Sequence, residues 1–316
     1  MGHRAHYVIV QDGSWDLYHS QWGANDLDLD LLPGPDFALR FMSSQRLLSG
    51  RDLVWTNELM CEAAAIVVPR EKRLGFYLIN HRGIVSRAAM LDVLALTWPG
   101  WRIEWLYQGL PDVLTRLGED VSKVHVDVSP YLQRLCPAGR YRGCLVTVAE
   151  NGATRAYALS NVPFEVVGRG EKLLSTLPDE ALTTSLRLTP DSGVHLDVAG
   201  RQAWLWSIDP LYRVLEWANT SWPDWTWTFL ADDWATHLAL AGDAVRFPPM
   251  ERGFALTKLQ VRLGRHAACH PADDAIRVLT AVLGPGPEAC DHHMAVPEEG
   301  EYATALTAIA ALRREA

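Results

Sequence analysis

Lysine is nearly missing from this chain. Lys72, Lys123, Lys172 and Lys258 are all it has, and arginine supplies the rest of its 29 basic residues. Set against 38 acidic residues, that leaves a net charge of -9. A broad nucleic-acid footprint needs clustered Lys and Arg to displace condensed counterions, so nucleic acid is not an expected partner. The one acid-free basic stretch, RLCPAGRYR at 134–142, reads as a solvated linker. Arginine in place of lysine, with abundant Ala and Gly, points to a GC-rich bacterial genome.

Other absences narrow the class. No run approaches the roughly 20 apolar residues of a membrane helix, and MGHRAHYVIVQDG holds no apolar stretch of secretory-leader length. The five cysteines are odd in number and thinly spread, which is no disulfide framework. Together these predict a cytoplasmic protein in a reducing compartment. G-x-G-x-x-G, P-loop, G-x-S-x-G and C-x-x-C patterns are all missing, so no nucleotide cofactor and no common nucleophile motif is expected.

Tryptophan is plentiful, with 13 in 316 residues, and its placement repeats. WPGWRIEW at 98–105 and WPDWTWTF at 222–229 match at an offset of 124. At that offset Leu106 meets Leu230, Leu114 meets Leu238 and Gly118 meets Gly242. Upstream, with loops of unequal length, RLGFYLI (73–79) lies over RQAWLWS (201–207). YVIVQDGSWDLYHS (7–20) lies over LVTVAENGATRAYALS (145–160). Rare residues recurring at fixed spacing indicate a tandem duplication.

Each copy yields the same parts. Asp12-Gly13 and Asn151-Gly152 mark hairpins at about 6–22 and 143–160. A short helix follows at about 35–47 and 170–177, then a second hairpin at about 62–80 and 193–208. An apolar-periodic helix comes next, with Pro210 expected in its first turn in the second copy. Trp-Pro stops that helix, because a residue before proline is pushed out of helical geometry. A period-two strand and a last helix ending at glycine complete the module. The predicted fold class is α+β: a duplicated ββαββαβα module, antiparallel sheets with helices on one face, and a helical C-terminal segment. The predicted divisions are a first repeat over 1–122, a linker over 123–142, a second repeat over 143–245 and a mainly helical segment over 246–316.

Residues matched in both copies serve the fold, so polar residues present in one copy only are the better functional candidates. By that argument His19, opposite Ala158, stands out, as does the segment reaching Asp26, opposite Asn161-Val162-Pro163. His81, taken as opposite Asp209, and Arg82 form a base and an anion clamp at a strand end. These four are the catalytic candidates. Asp26, Asp28 and Asp30 alternate in NDLDLD, but the glycine and glutamate of a calcium loop are missing; the run reads as a solvated acidic face. His266 and His270, spaced i and i+4, are the metal candidates, with zinc the implied ion and Cys269, Cys290, His292 and His293 nearby. The spacing fits no common zinc pattern, and a surface histidine pair is the plainer reading.

With no catalytic motif, the expected function is binding of a regulatory or immunity-like kind. The groove between two repeats would take a small molecule, a peptide or a protein. The alternative is an enzyme whose site combines His19, Asp26, His81 and Arg82, with metal assistance a further option.

Overall fold

A computed structural model describes residues 3–79, 81–139, 143–268 and 300–316. The chain forms two compact units. One comprises the described residues of Met1–Trp105, Val113–Lys123 and Glu251–Ala316, the other those of Leu106–Asp112 and Val124–Met250. Both are α+β, and the five strands of the second sheet repeat five of the six strands of the first.

The first sheet contains β1 (Ala5–Gln11), β2 (Ser14–Ser20), β3 (Arg46–Leu48), β4 (Ala63–Val68), β5 (Arg73–Leu78) and β6 (Arg102–Trp105), in the order β3-β2-β1-β4-β5-β6. The second contains β7 (Cys144–Glu150), β8 (Ala153–Leu159), β9 (Ser192–Asp197), β10 (Gln202–Ser207) and β11 (Thr226–Phe229), in the order β11-β10-β9-β7-β8. Asp12 and Asn151 take left-handed φ of 49° and 53° at the tips of the first hairpins, where short polar residues tolerate that geometry. Lys72 and Arg201 both sit at φ 48° in the second hairpins. Each then accepts, through its carbonyl, the N–H that opens the last strand of its sheet, Arg102 in one copy and Thr226 in the other.

The registers coincide. Val8 pairs with Ile66, Ile66 with Gly75 and Gly75 with Glu104. In the second unit Thr147 pairs with His195, His195 with Trp204 and Trp204 with Thr228. This fixes Lys72 opposite Arg201 and Gly75 opposite Trp204, one residue away from the overlay of RLGFYLI on RQAWLWS. A one-residue slip exchanges the two faces of a strand, so the correction decides which side chains are equivalent. Continuing the same offset places Pro210, not Asp209, opposite His81.

Two expectations about the sheets change. They are mixed rather than antiparallel: β1–β4, β5–β6, β7–β9 and β10–β11 are parallel. A strand that reaches its neighbour through helical chain re-enters in the same direction, and only the tight hairpins reverse it. The helices also flank both faces. In the first unit α1 (Leu27–Leu31) and α2 (Pro35–Ser43) precede β3 and α3 (Ile84–Thr97) joins β5 to β6; α4 (Leu110–Leu117) follows β6 and belongs to this unit from Val113 onward. Phe41 of α2 meets Tyr7 edge-on across 5.8 Å on one face, while Arg116 of α4 bonds Glu104 on the other. The second unit has α5 (Pro163–Val167), α6 (Leu173–Thr176), α7 (Val214–Ser221) and α8 (Trp234–Ala241). Pro210 is not in the first turn of α7. Tyr212 and Arg213 adopt φ of 45° and 63°, and the helix starts only after them.

Trp-Pro ends α3 and α7 as expected and does more. Trp98 and Trp222 are both buried, and each donates its indole N–H at 2.8 Å to a carbonyl of the first short helix of its unit, Leu31 in one and Val167 in the other. Trp101 and Trp225 then pack edge-on against them at 4.9 Å. The C-terminal segment adds α9 (Arg252–Ala268) and α10 (Glu301–Glu315), which pack on each other and on α3 in the first unit. The connecting stretch is not simply solvated. Residues 136–138 run along the edge of β8: Ala138 N–H reaches Ala158 O, and Ser160 N–H reaches Cys136 O. The buried Asn161 side chain holds this stretch by accepting from Cys136 N–H and donating to Arg134 O. Residues 140–142 lie outside the described residues.

Candidate functional site

The acidic run is a docking point for the C-terminal helix. All five residues of α1 are buried, Asp28 and Asp30 as well as Leu27, Leu29 and Leu31. Arg262 of α9 forks onto Asp28 at 2.5 and 3.0 Å and approaches Asp26 at 3.5 Å. His266, one turn further along α9, meets Asp30 at 2.9 Å. Burial raises the Asp30 carboxyl to about 6, with His266 pulling it the other way. Burial works against charge on His266, but the hydrogen bond to Asp30 and the charges of Asp30, Asp26 and Asp28 together raise the imidazole above its usual value. Tyr302 of α10 packs against both His266 and Phe37, and Arg40 binds Glu301 at 2.6 Å. Asp28 and Asp30 correspond to Phe164 and Val166, taking the two tryptophan-bound carbonyls as equivalent. The acids of the first copy therefore serve the C-terminal helices, and the run is not a solvated face. His266 Nε2 is engaged by Asp30, which leaves Nδ1 for any further ligation; His270, Cys269, Cys290, His292 and His293 lie outside the described residues.

His19 stands across the hairpin from His6, with ring centroids 5.3 Å apart. His6 is buried, and Trp55 packs on its edge while also touching Trp15. Burial, helped by the neighbouring His19, pushes His6 down to about 3, so it is neutral. Its Nε2 accepts the N–H of Thr56 at 3.0 Å, which places its proton on Nδ1. Neither nitrogen of His6 is thus open for a metal. Burial also lowers His19.

His81 follows β5 and is buried. Its Nδ1 accepts Gly83 N–H at 3.0 Å, and its ring meets Trp105 at 6.3 Å. Arg82 is exposed at φ 61°, and the Arg87 guanidinium lies 4.4 Å over the Trp105 ring. The four catalytic candidates do not converge. Between His19 on β2 and His81 beyond β5 lie β1 and β4, three strand spacings or about 14 Å. Asp26 faces Arg262 instead.

The same comparison of copies, run in the other direction, identifies a group that sequence reasoning missed. Thr147, His195 and His237 are buried in the second unit, where the first has Val8, Ile66 and Val113. Thr147 Oγ1 is 2.8 Å from His195 Nδ1 and 2.8 Å from His237 Nε2, and Trp206 Nε1 is 2.9 Å from His237 Nδ1. An indole N–H only donates, so His237 Nδ1 accepts. Burial, with the nearby His195, pushes His237 down to about 3. The neutral ring then carries its proton on Nε2 and donates to Thr147, whose own hydroxyl hydrogen is left for His195 Nδ1. Gly193 makes room: a Cβ there would lie 2.3 Å from Trp206 Nε1 and 2.5 Å from His237 Nδ1. The chain of bonds is directional and fully enclosed, which suits a specific core better than contact with a substrate.

No helix of the described residues is long and apolar enough to cross a membrane. Compared with known proteins, the chain matches no family model, no curated protein and no solved structure.

Proposed function

We propose that this chain is a binding protein of regulatory or immunity-like type, and that a protein partner docks on the first unit beside β3. The observation that carries this reading is a run of exposed apolar side chains between residues 47 and 60. Leu47 is 48% exposed, Leu53 42%, Val54 66% and Met60 46%. Exposed apolar side chains gathered in one segment are the material of which interaction sites are built. Leu47 lies on β3, the strand that ends the sheet, and an edge strand offers unpaired backbone groups to an incoming strand. Within the same stretch Trp55 turns inward onto Trp15 and His6, which pins the segment to the sheet rather than leaving it loose. The dispersal of His19, Asp26 and His81 supports binding over catalysis.

The test is affinity purification from the native host with wild type, Leu47→Glu and Val54→Glu. The expected result is one partner recovered by wild type and at least tenfold less by either variant, with thermal midpoints unchanged. Equal recovery by all three proteins sinks the reading.

A further inference from the structure

The two sheets share their register, so the side chain that fills a space in one copy shows what shape that space has in the other. On the face carrying α8, Trp204 lies half-buried beside His195, ring to ring at 5.5 Å. Its equivalent in the first unit is Gly75, with Ile66 in the place of His195. Nothing replaces the missing indole. An open cleft of about 80 Å³ remains, with Val10, Ile66 and Gly75 as its floor and Arg73, Glu104 and Arg116 on its rim.

Glycine inside a strand signals a bulge, a bend or the close approach of another group. A bulge is ruled out, because Gly75 pairs in unbroken register with Ile66 on one side and Glu104 on the other. The open cleft above Gly75 points to close approach. The rim defines the chemistry of what approaches. Glu104 binds Arg73 at 3.3 Å, Arg116 at 3.2 Å and Arg102 at 2.6 Å, and Arg73 also binds Glu71 at 3.0 Å. The charged groups lining the cleft are Glu71, Arg73, Glu104 and Arg116, whose charges balance, with Arg102 outside the lining, and the pairings hold the guanidinium planes in place. A neutral flat ring gains most from such a rim, through cation–π contact above an aliphatic floor. The cleft has less room than the roughly 150 Å³ that encloses benzene in an engineered cavity, so a ring enters edge-first and keeps one side in solvent. Trp204 is half-buried in the same way.

We infer that the Gly75 cleft of the first unit is a binding site for an indole or similarly flat, neutral aromatic ring. This does not depend on a partner docking beside β3.

The full-length protein is titrated with indole and, separately, with N-acetyl-L-tryptophanamide, and binding is followed by amide chemical shifts and calorimetry. Saturable binding is expected, with shifts centred on Val10, Ile66 and Gly75. If both probes bind, the site accepts a tryptophan side chain; if only indole binds, it takes a free small molecule. Gly75→Trp copies the second unit; it is expected to fold, to keep or raise the thermal midpoint and to weaken binding more than tenfold. Absence of saturable binding by wild type, shifts centred elsewhere, or undiminished binding by Gly75→Trp overturns the proposal. Should Gly75→Trp not fold, the wild-type shift map still decides, and Trp204→Gly adds a second measurement. That variant opens the matching slot in the second unit, and millimolar indole is expected to restore part of its lost thermal stability.

Discussion

The indole N–H of Trp98 donates to the carbonyl of Leu31, 67 residues earlier in the chain. Trp222 repeats the bond with Val167 across 55 residues. In each unit it joins the end of the helix before the last strand, α3 or α7, to the first short helix. Next to it, a glycine approaches the residue before the tryptophan. Gly34 at φ 115° would place a Cβ 2.9 Å from Thr97 O, and Gly170 at φ 63° would place one 2.3 Å from Ser221 O. Replacing either tryptophan by phenylalanine removes a buried hydrogen bond, at a cost of about 0.5–1.5 kcal/mol; Leu31 O keeps the Gly34 N–H at 3.3 Å. Urea unfolding of Trp98→Phe and Trp222→Phe is expected to show losses of similar size. A loss at one site only contradicts their equivalence.

Docking of α9 on α1 depends on pH, and the sign follows from the shifts. Asp30 and His266 are both raised in the folded chain, so the fold holds their protons more tightly than the unfolded chain does. Their contribution is present at low pH. It is lost as pH rises, first from the ordinary aspartate value towards about 6 through Asp30, then above 6.5 through the raised His266. The groups facing the pair are Asp26 and Asp28 on α1, Arg262 on α9, Tyr302 and Glu301 on α10 and Tyr7 on β1. Amide exchange in α9, corrected for intrinsic rates, is expected to quicken between pH 6 and 8. His266→Gln should flatten that dependence. Exchange that slows over this range contradicts the assignment.

The buried group in the second unit has the opposite sign. His195 and His237 are lowered by burial, so their contribution is present above 6.5 and is lost as pH falls. Thr147→Val leaves His195 Nδ1 and His237 Nε2 without their bond to the hydroxyl, while His237 Nδ1 keeps the Trp206 N–H, and should cost about 1–3 kcal/mol for each atom left unsatisfied. Replacing the whole set is different. Thr147→Val, His195→Ile, His237→Val and Trp206→Tyr together copy Val8, Ile66, Val113 and Tyr77 of the first unit. The fourfold variant is expected to recover most of the stability that Thr147→Val loses and to weaken its acid sensitivity, read as thermal midpoint between pH 5 and 8. A fourfold variant less stable than Thr147→Val shows that the two cores are not interchangeable.

Much of the architecture is legible in the chain itself, because it rests on local rules. Asp12-Gly13 and Asn151-Gly152 mark hairpins since few other residues tolerate left-handed backbone there. Trp-Pro stops two helices through the steric demand of the proline ring. Alternation in WRIEW and WTWTF follows from the two-residue period of a strand. Repetition of these signals at fixed spacing is enough to establish the duplication. What the sequence left open was non-local. Overlaying RLGFYLI on RQAWLWS one residue out of register hid the equivalence of Gly75 and Trp204, because apolar residues occupy both faces of these strands and the pattern alone does not choose between them. Parallel pairing of β1 with β4 and of β5 with β6 depends on where the connecting chain returns. Asp28 and Asp30 looked solvent-bound because their partners, Arg262 and His266, lie more than 230 residues away. Only folding brings those charges together, and only burial converts an acidic run into the seat of a helix.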